Sequence, residues 1–336
     1  MKQELHPFAK FIAILARGKT KTRALTLAES QEAMEMILRG EALPEQIGAF
    51  LMLMRLKEET GVEIAGFTLG ARSTFNLPNK LPKVDVDWSS YAGKRRQLPW
   101  YVLSVLLLAQ NGIKVFMHGT SGHTAGRVYT QEVLEGLGVP IANSLEMAAS
   151  EIEKTNFTYA PLEVLSPKLY EMIEMRPILG LRSPVHSFSR MLNPFNAKTM
   201  MQGIFHRGFA DIHIEAANLL NQPQMSVYRG EGGEIERRPN KPCLVHSTKG
   251  AEKATSENWP VLLSDTRQEI DEEMNVDNVA KFWRGEFESS YGVAAVTGSL
   301  AIALKSMGKT DSVDNAQQMA NAMWNNRNKY YLPIGE

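Results

Sequence analysis

The chain has one cysteine, Cys243, among 336 residues. That excludes an intramolecular disulfide and fits a reducing compartment. No uncharged apolar run approaches the ~18–20 residues needed to span a bilayer. The opening stretch, MKQELHPFAKFIAILARGKT, has only a short apolar segment and no small-residue cleavage pattern, so no signal peptide is expected. Together these features lead us to expect a cytoplasmic protein with no membrane contact. Net charge is missing as well: 37 basic and 37 acidic side chains cancel. Bulk charge therefore announces no nucleic-acid partner, and any anion site must come from local clustering. Internal repeats and low-complexity tracts are absent. What remains is a hydrophobic content of 43%, enough for a proper core, in a chain long enough for one large domain or two unequal ones.

The first 75 or so residues read as successive helices. SQEAMEMILRG places Ala33, Met34, Ile37 and Leu38 on one face, with Ser30 at the cap and Gly40 at the stop. LPEQIGAFLMLMRLKEET puts Ile47, Phe50, Leu51 and Met54 at helical spacing, and GVEIAGFTLGARS repeats the pattern. A break at FNLPNKLPKVDVD opens a region where strand and helix alternate. The strands are VDVD, IKVFMHG, NFTYAP and QMSVYRGEG, with a helix beginning near Pro99 and another over VYTQEVLEGLG. Residues 165–190 read as irregular helix. Alternation of this kind argues for an α/β fold with a mostly parallel central sheet. The expected organisation is a helical domain over 1–78, with helices from about 165–190 packing on it, and an α/β domain over 79–164 and 191–336.

SSYAGKRRQLPW, residues 89–100, occupies the turn from the first strand to the next helix. Ligands are usually held at such turns, and the helix N-terminus itself favours anions. Lys94, Arg95 and Arg96 lie among Trp88, Tyr91, Trp100 and Tyr101. Cations interleaved with aromatics suit single-stranded nucleic acid; the bland alternative is a solvated turn beside core aromatics. His118 and Gly119 end the second strand, followed by Thr120. Arg127 opens the next helix after a pliable HGTSGHTAG turn. Further basic groups stand at Arg17, Lys19, Lys21 and Arg23, and at Arg237, Arg238 and Lys241 on an expected surface loop. Asp211, His213 and Glu215 are spaced like ligands on a strand, but HIEAANLLN fits a helix, which scatters them.

Four collinear segments, from about residue 10 to 325, resemble the anthranilate phosphoribosyltransferases. They are LARGKTKTRALTLAESQEAMEMILRG through EIAGF, NGIKVFMHGT, MRPILGLRSPVHSFSRMLNP and YGVAAVTGSLAIALKSMGKTDSVDNAQQMANAM. The resemblance implies the fold described above, usually dimeric through the helical part. The catalytic motifs depart from that family. Its glycine-rich diphosphate loop falls on Ser89, Ser90, Tyr91, Ala92 and Gly93, leaving one glycine where two or three let backbone N–H groups close on phosphate. Its hydroxyl-bearing helix start falls on Pro99, Trp100, Tyr101 and Val102. Its paired magnesium-holding acids are reduced to Glu234, beside Gly233. Arg176, which would meet an acceptor carboxylate, and Arg182 match the pattern.

SSYAGKRRQLPW and HGTSGHTAGRVYT resemble a diverged branch of the family more closely than the enzymes. That branch implies nucleic-acid binding by a homodimer with a basic groove. The expected phosphate or nucleic-acid contacts are Tyr91, Gly93, Lys94, Arg95, Arg96, His118, Gly119, Thr120, Arg127 and Arg176, with Glu234 as a weak metal site. The alternative is a phosphoribosyltransferase using phosphoribosyl pyrophosphate with an altered acceptor. Magnesium is expected only under that alternative.

Overall fold

The computed structural model of the chain describes residues 4–18, 20–122, 124–250, 252–265, 267 and 273–331. Four helices come first: α1 (Ala9–Ala16), α2 (Leu27–Leu38), α3 (Pro44–Lys57) and α4 (Gly61–Arg72). α2 begins earlier than Ser30 suggested. Thr26 caps it, and Glu29 reaches back to the Thr26 N–H, completing a capping box. Thr60 and Glu63 start α4 in the same way. Ser30 is buried instead, against the glycine face of α4. Phe8, Phe50, Phe67 and Phe188 form a chain of ring contacts at 5.5–5.8 Å through this region.

The sheet follows as β1 (Val86–Ser90), α5 (Tyr101–Gln110), β2 (Val115–Gly119), α6 (Thr130–Gly136), α7 (Leu145–Thr155) and β3 (Phe157–Pro161). Four short helices, α8 (Leu162–Leu165), α9 (Pro167–Glu174), α10 (Arg176–Leu179) and α11 (Val185–Phe188), then lead to β4 (Thr199–Ile204), α12 (Phe209–Leu219) and β5 (Gln224–Arg229). An antiparallel pair, β6 (Cys243–Lys249) and β7 (Thr255–Trp259), precedes α13 (Asp277–Arg284), α14 (Ser290–Ser306) and α15 (Val313–Asn325). Asp211, His213 and Glu215 lie on α12, as the helical pattern indicated.

The strand order is β3-β2-β1-β4-β5-β6-β7, with β1 to β5 parallel and the last two antiparallel. Alternate residues feed opposite faces, as the pleat requires. Phe116 and Met200 join the core shared with the helical region, whereas Met117 and Met201 join the core under α5 and α14. Chain order reverses between β1 and β4, so their C-terminal ends flank the crevice where ligands of open α/β sheets bind. Among the described residues no helix is long and apolar enough to cross a membrane.

Candidate anion site at the end of the first strand

The loop after β1 does cradle an anion, and that anion belongs to the chain itself. Glu234 is fully buried. Its Oε2 accepts hydrogen bonds from the N–H groups of Ala92 at 3.0 Å and Gly93 at 2.7 Å, and from Ser90 Oγ at 3.2 Å. Its Oε1 accepts from the Ile235 N–H at 2.8 Å. Backbone geometry brings the carboxylate there. Gly233 has φ of +91°, a left-handed turn that favours glycine. At Gly230, an added Cβ would sit 1.7 Å from the Glu234 carbonyl oxygen. The acidic side chain thus takes the donors that a phosphate would use.

A second carboxylate meets the start of α5. Glu236 Oε2 accepts from the Tyr101 N–H at 3.0 Å, and its Oε1 lies 2.5 Å from Lys94 Nζ. Glu231 adds a 3.1 Å contact to the same ammonium and accepts from the N–H of Arg96 at 3.1 Å. Lys94 is therefore no solvent-facing cation: it is wholly buried between two glutamates. Burial disfavours its charge, but Glu236, Tyr291 and Glu231 outweigh that and hold it protonated above the ordinary lysine range. Burial raises Glu236. Only Arg95 and Arg96 of the three cations are exposed. The flanking aromatics are corrected in the same sense. Trp88, Tyr91, Trp100 and Tyr101 are all buried, so none offers a face to a base. Arg237, expected on a surface loop, is buried over the Trp259 ring at 5.1 Å.

His118 also sits inside. Its Nδ1 meets the Tyr91 hydroxyl at 2.8 Å and its Nε2 meets Asp87 Oδ1 at 3.2 Å. All three side chains are buried, so this network orders the core beneath the loop. Gly119 is required by close approach, because an added Cβ would lie 1.9 Å from the Ser90 carbonyl oxygen. Thr120 is buried, and its hydroxyl has no hydrogen-bond partner among the described residues. Arg127 clamps the loop from its carbonyl side, donating to Ala92 O at 2.7 Å.

Beside the loop, a cleft of about 140 Å³ lies between the helical region, the end of β4 and the Gly232–Gly233 turn beyond β5. Arg55, Arg182, Arg190, His186, Phe205 and His206 are among its walls. Arg176 and Arg182 both donate to Thr124 Oγ1, at 2.7 and 3.3 Å. Burial, and then the guanidiniums of Arg127, Arg176 and Arg190, push Arg182 down to about 10. Arg190 Nη1 and Ser183 Oγ are buried donors with no hydrogen-bond partner among the described residues, which an entering anion would satisfy. Arg55, Arg190, Phe205 and His206 escaped the sequence reading. They come from three separate segments and form no local motif. Of the more distant basic groups, Arg23 pairs with Glu29 at 2.7 Å, Arg17 and Lys21 are exposed, and Lys19 lies outside the described residues.

Magnesium does not fit Glu234. The carboxylate faces N–H donors, which would repel a cation. Among the described residues no group of three histidine, cysteine, aspartate or glutamate side chains could hold a metal.

Comparison with known proteins accords with this architecture. Residues 9–74 match the glycosyl transferase family, helical bundle domain. The anthranilate phosphoribosyltransferase of Prochlorococcus marinus is 29% identical over 214 residues, covering 63% of this chain and 62% of that protein. The crystal structure of anthranilate phosphoribosyltransferase from Thermus thermophilus superposes with a TM-score of 0.76 at 21% identity, covering 95% of this chain and 94% of its own. The Saccharomyces cerevisiae enzyme, solved with phosphoribosyl pyrophosphate and magnesium, gives 0.74 at 14% identity, over 95% of this chain and 93% of its own. The chain thus has the anthranilate phosphoribosyltransferase-like fold, an N-terminal helical bundle joined to an α/β unit with a mostly parallel sheet.

Proposed function

We propose that this chain binds nucleic acid across the arginine-lined mouth of the cleft and does not hold a diphosphate in the loop after β1. The observation that carries the reading is Glu234 seated on the Ala92 and Gly93 N–H groups. Donors already given to a carboxylate are closed to phosphate, and a diphosphate placed there would meet the acidic Glu234 and Glu236. The groups that can meet an anion from outside are guanidiniums: Arg95 and Arg96, exposed on the loop, and Arg182 in the wall of the cleft. Guanidinium forks on flexible stems suit successive phosphates of a polymer. The test is titration of a labelled oligonucleotide over a salt series. The logarithm of the affinity is expected to fall with log salt, by roughly 0.7 per phosphate neutralised on a single strand. Arg95→Ala with Arg96→Ala should weaken binding and flatten the slope by about 1.4, twice that increment. An unchanged slope removes the loop from the interface.

A second reading is phosphoribosyl transfer with an altered acceptor. It is favoured by the activity named for the Prochlorococcus relative. Arg190 Nη1 and Ser183 Oγ, which lack hydrogen-bond partners among the described residues and suit a small anionic acceptor, also support it. It requires Glu234 to leave the loop. Calorimetry with phosphoribosyl pyrophosphate and magnesium decides: heat of binding supports transfer, and its absence leaves the loop closed as described.

A further inference from the structure

We infer that Phe205, flanked by His206 and Arg229, is a stacking platform for an unpaired nucleobase. The inference rests on the nucleic-acid reading above and narrows it to single strands. Phe205 follows β4 directly, at the switch point of the sheet, and the residue is 47% exposed. A lone exposed phenylalanine needs no explanation; this one has a setting. Ile204 pairs in register with Arg229 at the end of β5, which places the Arg229 guanidinium 5.7 Å from the Phe205 ring centroid. The His206 ring stands edge-on at 4.7 Å. Gly233 lies against the Phe205 backbone, where an added Cβ would come within 3.3 Å, so the ring is backed by the turn that delivers Glu234. Phe205 lines the same cleft as Arg182 and Arg190, and His206, Arg207 and Arg229 around it are exposed.

The pairing of ring and charge is what single-stranded nucleic acid requires. Every base has a face that stacks on an aromatic side chain, while the adjacent phosphates meet guanidiniums. Trp88, Tyr91, Trp100 and Tyr101 around the loop cannot serve, since all four are buried. A duplex keeps its bases stacked on one another and presents no free face to Phe205.

The test compares an oligothymidylate with an abasic strand of equal length, using the whole chain. Phe205→Ala should weaken oligothymidylate binding roughly tenfold or more, the scale of losing one stacked base, and leave the abasic strand unaffected. The five native tryptophans are all buried, so Phe205→Trp adds a single exposed reporter. Its emission should be quenched by oligothymidylate and not by the abasic strand. If Phe205→Ala binds both strands as the parent does and the reporter is unmoved, the platform is refuted while nucleic-acid binding stands. If the parent binds neither strand, both readings fall.

Discussion

At the residue scale, Lys94 shows how a charge can be assigned the wrong neighbour. In sequence it leads a run of three cations, and in space it is buried against Glu236, with half-buried Glu231 completing a triad. Removing one partner of such a pair leaves an uncompensated buried charge, at a cost of about 3–5 kcal/mol. Lys94→Met should therefore lower stability by that order in urea denaturation. Combining it with Glu236→Gln, which keeps an acceptor for the Tyr101 N–H, should restore much of the loss. The double variant should bind oligonucleotide like the parent, in contrast to the change at Arg95 and Arg96. If Lys94→Met alone is as stable as the parent, the buried pair is not formed. Weakened binding by a stable double variant would return Lys94 to the interface.

At the scale of elements, α2 and α4 are held together by what is missing from α4. An added Cβ at Gly66 would lie 2.5 Å from Ser30 Cβ and 2.6 Å from the Leu27 carbonyl oxygen. Helix propensity alone would make Gly66→Ala favourable by about 1 kcal/mol. Overpacking of this severity costs about 1–3 kcal/mol and should win, giving a net loss. Gly48, inside α3, has nothing within 4 Å of the same position. Gly48→Ala should therefore gain up to about 1 kcal/mol. Opposite signs in one denaturation series would establish the close approach; equal signs would refute it.

The amphipathic patterns of α2, α3 and α4 were legible because their apolar faces recur at helical spacing, as were β1, β2, β3 and β5. β4 and the antiparallel pair were not. β7, Thr-Ser-Glu-Asn-Trp, is a largely exposed edge strand with no apolar alternation to betray it. The loop after β1 was legible as the place where an anion sits. The identity of the anion was not, because Glu234 lies 142 residues from Ala92 in the chain. Local spacing shows that donors are present; only the fold shows which acceptor reaches them.

At the scale of the whole molecule, three of the exposed leucines, Leu5, Leu43 and Leu56, belong to the helical region, at 80%, 51% and 84% exposure. We propose that two chains associate through the helical region, which would cover such leucines and set two arginine-lined clefts on one particle. Light scattering should then give twice the chain mass of 37.5 kDa. Leu43→Glu with Leu56→Glu should shift the mass to that of a single chain without unfolding it, because neither side chain is buried within the protomer. The two states should also differ in binding. A strand long enough to reach both clefts gains from effective concentration only in the dimer, whereas a short oligonucleotide occupies one cleft in either state. The variant should thus lose affinity for the long strand and keep it for the short one. A parent that scatters as a single chain would refute the dimer outright. Equal loss on both strands would mean that the substitutions disturbed the cleft itself.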